Sequence, residues 1–197
     1  MPASPIYGLV LAGGKSRRMG RDKALLLRDG TSQLAHIAAL LEEVTDRVFV
    51  STRSEQQSEA ERSRFEQIVD CYKDMGPIAG ILSAMDEYPE ADWLIVACDL
   101  PNIDAATLRF LLDNRSAEQP FTAFISSYDG LPEPLCAVYQ SGSDAIIRQF
   151  VADIDSVCPR KILIRSDTKL IKQPDPAALD NINTPDELES SVLEVAS

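Results

Sequence analysis

The sequence holds one histidine, one tryptophan and four cysteines among 197 residues. Each scarcity narrows the chemistry. The one histidine, His36, falls inside a run of helical apolar spacing and reads as a structural side chain, which argues against a histidine general base or relay. The cysteines, Cys71, Cys98, Cys136 and Cys158, contain no C-x-x-C pair, so neither a zinc site nor a redox motif is supported. Two of them sit in apolar runs that resemble buried strands, and all four read as reduced thiols. No apolar stretch approaches the length that spans a bilayer. The opening MPASPIYGLVLAGG lacks a basic segment followed by a long apolar run, so no signal peptide is read and a cytoplasmic location is expected. Positive charge is also short: 19 Lys and Arg stand against 31 Asp and Glu, a net charge of −12. That balance argues against a general nucleic-acid or anionic-membrane surface. The length suits one domain, expected over 1–197, with enough chain for a core without staples. No exposed amphipathic repeat points to an obligate assembly, and a monomer is expected.

What is present is a regular alternation of apolar runs. Ile6 to Ala12 reads as a buried strand feeding a glycine loop. Ser32 to Val44 carries Leu34, Ile37, Ala38, Leu41 and Val44 at helical spacing, with Ser32 as N-cap. Arg47 to Ser51 reads as a second strand, and the charged segment from Ser54 to Phe65 as a solvated helix. Gln67 to Asp70 reads as a third strand. A helix starts after Pro77, with Ile78, Ile81, Leu82 and Met85 on its apolar face. Trp93 to Cys98 is the clearest strand, closed by Asp99. Asp104 caps a further helix through Leu112. Phe121 to Ser126 and Pro134 to Tyr139 flank a turn at Tyr128-Asp129-Gly130. Ser143 to Ile154 is read as helical, with Ile146, Ile147, Phe150 and Val151 inward. Cys158 to Ile171 is open: Pro159 suits a helix start, and Lys169 to Ile171 suits a strand. Thr184-Pro185-Asp186-Glu187 forms a capping box that opens a final helix. Strands alternating with helices imply an α/β fold, a Rossmann-like three-layer arrangement with a mainly parallel, partly mixed sheet.

The scarce positive charge is concentrated in one place. LAGGKSRRMGRDK, residues 11–23, holds Lys15, Arg17, Arg18, Arg21 and Lys23. Its Gly-Lys-Ser suggests a Walker A loop, but that motif needs a glycine five positions before Gly14, where Leu9 stands. The G-x-G-x-x-G fingerprint fails as well, since Gly13 and Gly14 are adjacent. Two readings remain. In one, a glycine turn at a strand's carboxyl end cradles phosphate through free N–H groups and nearby cations. In the other, the loop simply carries solvated charge. Asp99 and Asp70 each end an expected strand. Beside a polyphosphate, a carboxylate is repelled unless a cation such as Mg²⁺ bridges the two. Otherwise Asp99 is a turn cap and Asp70 an ordinary strand-end carboxylate.

Taken together, LAGGKSRRMGRDK at 11–23, Asp70, GPIAGI at 76–81, ACDLP at 97–101, PEPLCAVY at 132–139 and NINTPDEL at 181–188 resemble the molybdenum cofactor guanylyltransferase (MobA) family of the nucleotidyltransferase superfamily. The first motif specifies mainly the superfamily; the Cys-Asp-x-Pro and N-x-N-T-P elements narrow it. The resemblance implies transfer of GMP from GTP to the terminal phosphate of molybdopterin, with pyrophosphate released. It implies a nucleotide-binding N-terminal half and an acceptor-binding C-terminal half. Leu11, Ala12, Gly13 and Gly14 would meet the nucleotide, Arg18 and Lys23 would offset phosphate charge, and Asp70 would hold the nucleoside. Asp99 would bind Mg²⁺, with Mn²⁺ as the alternate ion, and Asn181 and Asn183 would lie on the pterin side. The family often places Asn at the end of the second strand for guanine recognition; Ser51 stands there, with Thr52 and Arg53 beside it. Partner molybdoenzymes or other cofactor-biosynthesis proteins are implied by the family alone. Cytidylyl transfer to molybdopterin, transfer to a sugar or polyol phosphate, and nucleotide binding without turnover are the competing readings.

Overall fold

The structure is a computed structural model and describes residues 4–13, 22–182, 187, 191–193 and 195. From the N-terminus, β1 (Ile6–Leu11) leads to a small hairpin of β2 (Leu27–Arg28) and β3 (Thr31–Ser32), followed by α1 (Gln33–Glu42). Then come β4 (Arg47–Thr52), β5 (Gln67–Val69), α2 (Pro77–Glu87), β6 (Asp92–Ala97) and α3 (Ala105–Asp113). The C-terminal part adds β7 (Phe121–Ile125), β8 (Pro132–Tyr139), α4 (Asp144–Ile154), α5 (Pro159–Arg165) and β9 (Thr168–Lys172).

Seven strands form one sheet in the order β5-β4-β1-β6-β8-β7-β9. The pairs β1/β4, β1/β6, β4/β5 and β7/β9 are parallel, whereas β8 runs against both β6 and β7. Alternation along each strand divides the core. Val10, Val50, Leu94 and Val96 pack with α1 and α3 residues such as Leu34, Leu41, Leu108 and Leu111. Leu9, Phe49, Trp93 and Ile95 pack with α2, α4 and α5 residues such as Ile78, Ile81, Ile147 and Ile162. The period-2 pattern of the strands therefore feeds two helical layers, one on each face.

Local signals explain several boundaries. Ser32 caps α1, its Oγ accepting from the Ala35 N–H at 3.0 Å. Pro77 opens α2 after Gly76, which sits at φ +55°, a conformation that a side chain would strain. The β2–β3 turn uses Asp29 at φ +50° and Gly30 at φ +79°, two positive values of the kind a tight hairpin turn needs. Pro159 does open a helix and Thr168–Lys172 is a strand, which resolves the open segment.

Two expectations are corrected. The 54–65 segment is not a helix with its charges in water. It holds two 3-10 turns, Ser54–Gln56 and Arg62–Arg64, and the Arg62 side chain is 1% exposed. In α4, Ile146 is 38% exposed while Ile147 and Phe150 are buried, so the inward face begins one residue later. The capping box at 184–187 lies outside the described residues except for Glu187, which is helical. Among the described residues no helix is long and apolar enough to cross a membrane.

Candidate active site

The chain leaves β1 for β4 on one side and returns through β6 on the other. The topological switch point therefore lies between β1 and β6, and a crevice opens at their carboxyl ends. Leu11 is level with Ala97 of β6 and with Ser51 of β4. The residues that follow, Ala12-Gly13 and Cys98-Asp99, emerge side by side. Asp70 follows β5, its N–H donating to the Thr52 carbonyl at 2.8 Å. Sheet register thus gathers Leu11, Ala12, Gly13, Ser51, Asp70 and Asp99, which are up to 88 positions apart in sequence, from Leu11 to Asp99.

On one side of the crevice the Lys23 ammonium stands 3.5 Å from Asp99 Oδ2, with both side chains part exposed at 17% and 23%. Lys23 begins a 3-10 helix, Lys23–Leu25, capped by Asp22, whose Oδ1 accepts from the Ala24 N–H at 3.1 Å. Both charges stand at the part-exposed rim of the crevice. Nearby, Gln33 Nε2 and Arg28 Nη1 donate to the carbonyls of Leu100 at 3.1 Å and Pro101 at 2.6 Å, tying the Asp99 loop to the helical layer. Ile182 N–H donates to the Asp99 carbonyl at 3.0 Å, which brings the C-terminal segment to the same loop.

On the other side lies a small polar cluster. Ser51 is 2% exposed and its hydroxyl donates to Asp70 Oδ1 at 2.7 Å. This close packing requires Gly80 of α2, since a Cβ there would stand 2.3 Å from the Ser51 hydroxyl. A Cβ on Gly13 would stand 3.2 Å from Asp70 Oδ2, so the second carboxylate oxygen faces Gly13. Arg53 Nε donates to the Gly13 carbonyl at 2.7 Å and its Nη1 pairs with Glu55 at 2.6 Å. Burial raises the Asp70 carboxyl above its ordinary value, opposed first by the Ser51 hydrogen bond and then by the Arg53 charge.

A pocket of about 100 Å³ continues from Asp99 toward the antiparallel strands, lined in part by Glu133, Cys136, Arg160, Leu179 and Asn181. Arg160 pairs with Asp129 and with Glu133, each at 3.0 Å. Glu133 and Arg160 were not read from the sequence as site residues; the PEPLCAVY motif was the available signal for the first, and the lone Pro159 start for the second. Arg18, Gly14 and Asn183 lie outside the described residues. His36 is half-buried, hydrogen-bonded to Arg28 at 3.2 Å, and lowered from its ordinary pKa by burial and then by the Arg28 charge. That setting fits the structural reading. Cys98 and Cys136 are buried and free, with burial pushing the Cys136 thiol up to about 12.

This arrangement places Gly13, a lysine–carboxylate pair and a part-buried aspartate around one crevice. The MobA-like NTP transferase domain family matches residues 8–168. The chain belongs to that family. A molybdenum cofactor biosynthesis bifunctional protein of Synechocystis is 36% identical over 184 residues, covering 93% of this chain and 53% of the relative. The chain thus spans about half the length of that relative. A probable molybdenum cofactor guanylyltransferase of Bacillus cereus is 36% identical over 140 residues, 68% of each chain. Molybdopterin-guanine dinucleotide biosynthesis protein A of Archaeoglobus fulgidus shares the fold with a TM-score of 0.76 at 24% identity, over 93% of this chain and 95% of that one.

Proposed function

We propose that this member of the family is a molybdenum cofactor guanylyltransferase, which transfers GMP from GTP to molybdopterin and releases pyrophosphate. The observation that carries the reading is the part-exposed Lys23–Asp99 pair at the switch-point crevice, between Gly13 and a pocket reaching Asn181. In this reading an oxygen of the molybdopterin phosphate attacks the α-phosphorus of GTP, the bond to the β-phosphate oxygen breaks, and the electron pair leaves with pyrophosphate. The attacking phosphate is already ionised at neutral pH, so the step needs no general base. It needs charge neutralisation and in-line placement.

Lys23 then offsets the charge that builds on the phosphates. Asp70, fixed by Ser51, turns its free oxygen toward the nucleoside at Gly13. Ser51 acts through Asp70, because its hydroxyl is already committed and buried. Asn181 and the pocket with Arg160 take the pterin side. Arg18, Gly14 and Asn183 keep the roles that the sequence resemblance implies. Among the described residues no group of three or more His, Cys, Asp or Glu is gathered that could cage a metal. A hard cation that takes one or two carboxylates and fills its shell with phosphate oxygens and water suits Asp99. Mg²⁺ bound there supplies neutralisation of phosphate charge.

The test is turnover. Purified protein is incubated with Mg²⁺, molybdopterin and each nucleoside triphosphate in turn, and pyrophosphate is measured. Release with GTP is expected; release with CTP and none with GTP overturns the reading.

A further inference from the structure

Arg62 is the most deeply buried charged side chain among the described residues. It sits in a segment dense in charge, yet it is 1% exposed. Its Nη2 donates to the Ala12 carbonyl at 2.8 Å and to Asp22 Oδ2 at 2.7 Å, while Nη1 pairs with Glu59 at 3.1 Å. The backbone around it is pinned too: its N–H donates to Glu59 at 3.1 Å and its carbonyl accepts from Gln67 Nε2 at 3.0 Å. A buried guanidinium is a poor route to stability, because desolvation opposes the pairing. Here the balance is worse than usual, since Nε is buried with no partner among the described residues. A residue kept at such cost is better explained by where it holds its partners.

Those partners are informative. Ala12 is the first residue after β1, and Asp22 is the cap of the 3-10 helix that Lys23 begins. One guanidinium nitrogen therefore joins the end of the central strand to the start of the element that carries Lys23. The contacts run from Ala12 through Arg62 and Asp22 to Lys23 and on to Asp99. We infer that Arg62 is a positioning residue: by clasping the Ala12 carbonyl and the Asp22 carboxylate it sets where the Lys23 charge stands over the crevice. A planar fork can meet three acceptors from fixed directions; a lysine ammonium there keeps the charge but not that geometry.

The inference rests on the proposed role of Lys23 toward nucleotide phosphates, and the test separates the two. Binding of Mg·GTP is measured by calorimetry for wild type, Lys23→Ala, Arg62→Met, Arg62→Lys, Asp22→Asn and the Lys23→Ala/Arg62→Met double variant, with a melting curve for each. Arg62→Met and Asp22→Asn are expected to weaken binding at least fivefold at temperatures where both are folded, with Arg62→Lys between them and wild type. The double variant is expected to bind within twofold of Lys23→Ala, because the Arg62 effect passes through Lys23. Asp22→Asn is near-isosteric and keeps the test alive if Arg62→Met does not fold. Binding by Asp22→Asn and Arg62→Lys within twofold of wild type, or losses in the double variant that multiply, would overturn the inference while leaving Lys23 in its role. Wild-type affinity in Lys23→Ala would overturn the role of Lys23 and the inference with it.

Discussion

At the scale of the residue, the site separates side chains that face the crevice from those that act behind them. Asp99 faces it. Asp99→Asn keeps the shape and removes the charge, and it should lower turnover by about two to three powers of ten, as losses from preorganised electrostatic sites do; full activity in that variant removes the metal role. Asp70 carries the opposite burden. Its pKa is raised in the fold by burial, so between the unfolded and folded values the native state binds more protons than the unfolded one. Stability from this group is present below the unfolded value and is lost as pH rises through the folded value. Asp70→Asn should therefore raise the melting temperature at neutral pH, by about 2–4 °C for each kcal/mol gained in a chain of this size, while weakening nucleotide binding. Differential scanning calorimetry at pH 7 and at a pH below the carboxylate range decides it: the difference from wild type should shrink at the lower pH. Ser51→Ala removes a hydrogen bond that lowers the Asp70 pKa, so the acid limb of nucleotide binding should move to higher pH.

At the scale of the element, the fit between α2 and β4 is the tightest in the site. Gly80 lets the helix approach so closely that an added Cβ would also stand 2.9 Å from Ser51 Cβ. Gly80→Ala should cost about 1–3 kcal/mol in urea titrations, the range of overpacked cores, and Ser51→Gly in the same chain should recover most of it. No recovery would mean that the helix, not the serine, takes the strain. The elements also show where local pattern reading succeeds. The clean helical spacing of α1 and α2 and their capping residues carry short-range information, and both helices form where the pattern puts them. The 54–65 segment defeats the same reasoning. Its charge density suggests water, but Arg62 reaches 50 residues back to Ala12, a contact that no local period encodes.

At the scale of the whole molecule, one seven-stranded sheet runs from β5 at one edge to β9 at the other. The single tryptophan, Trp93, is fully buried on β6, near the middle of that sheet, with Tyr7, Phe49 and Tyr88 around it. Its fluorescence therefore reports the central strands, while far-ultraviolet circular dichroism reports all of them. The two denaturation curves should coincide, as in cooperative unfolding. Separate midpoints would show that the antiparallel part around β7 and β8 melts on its own. The same sheet explains why the crevice lies where it does: a strand order that reverses beside β1 opens one gap at the carboxyl edge, and loops from distant parts of the chain meet there.

The α/β class, most strand and helix positions, and Asp70 and Asp99 at strand ends were legible in the residues, because periodicity and capping act over a few positions. The motifs also carried the family. Tertiary structure alone decided that β8 pairs with β6 as well as with β7, that Lys23 faces Asp99, that Ser51 turns its hydroxyl to Asp70, and that Arg62 is a buried clasp rather than a solvated charge. Each of those depends on which distant segments the sheet brings together, and a hydroxyl or guanidinium takes its partner from space rather than from its place in the chain.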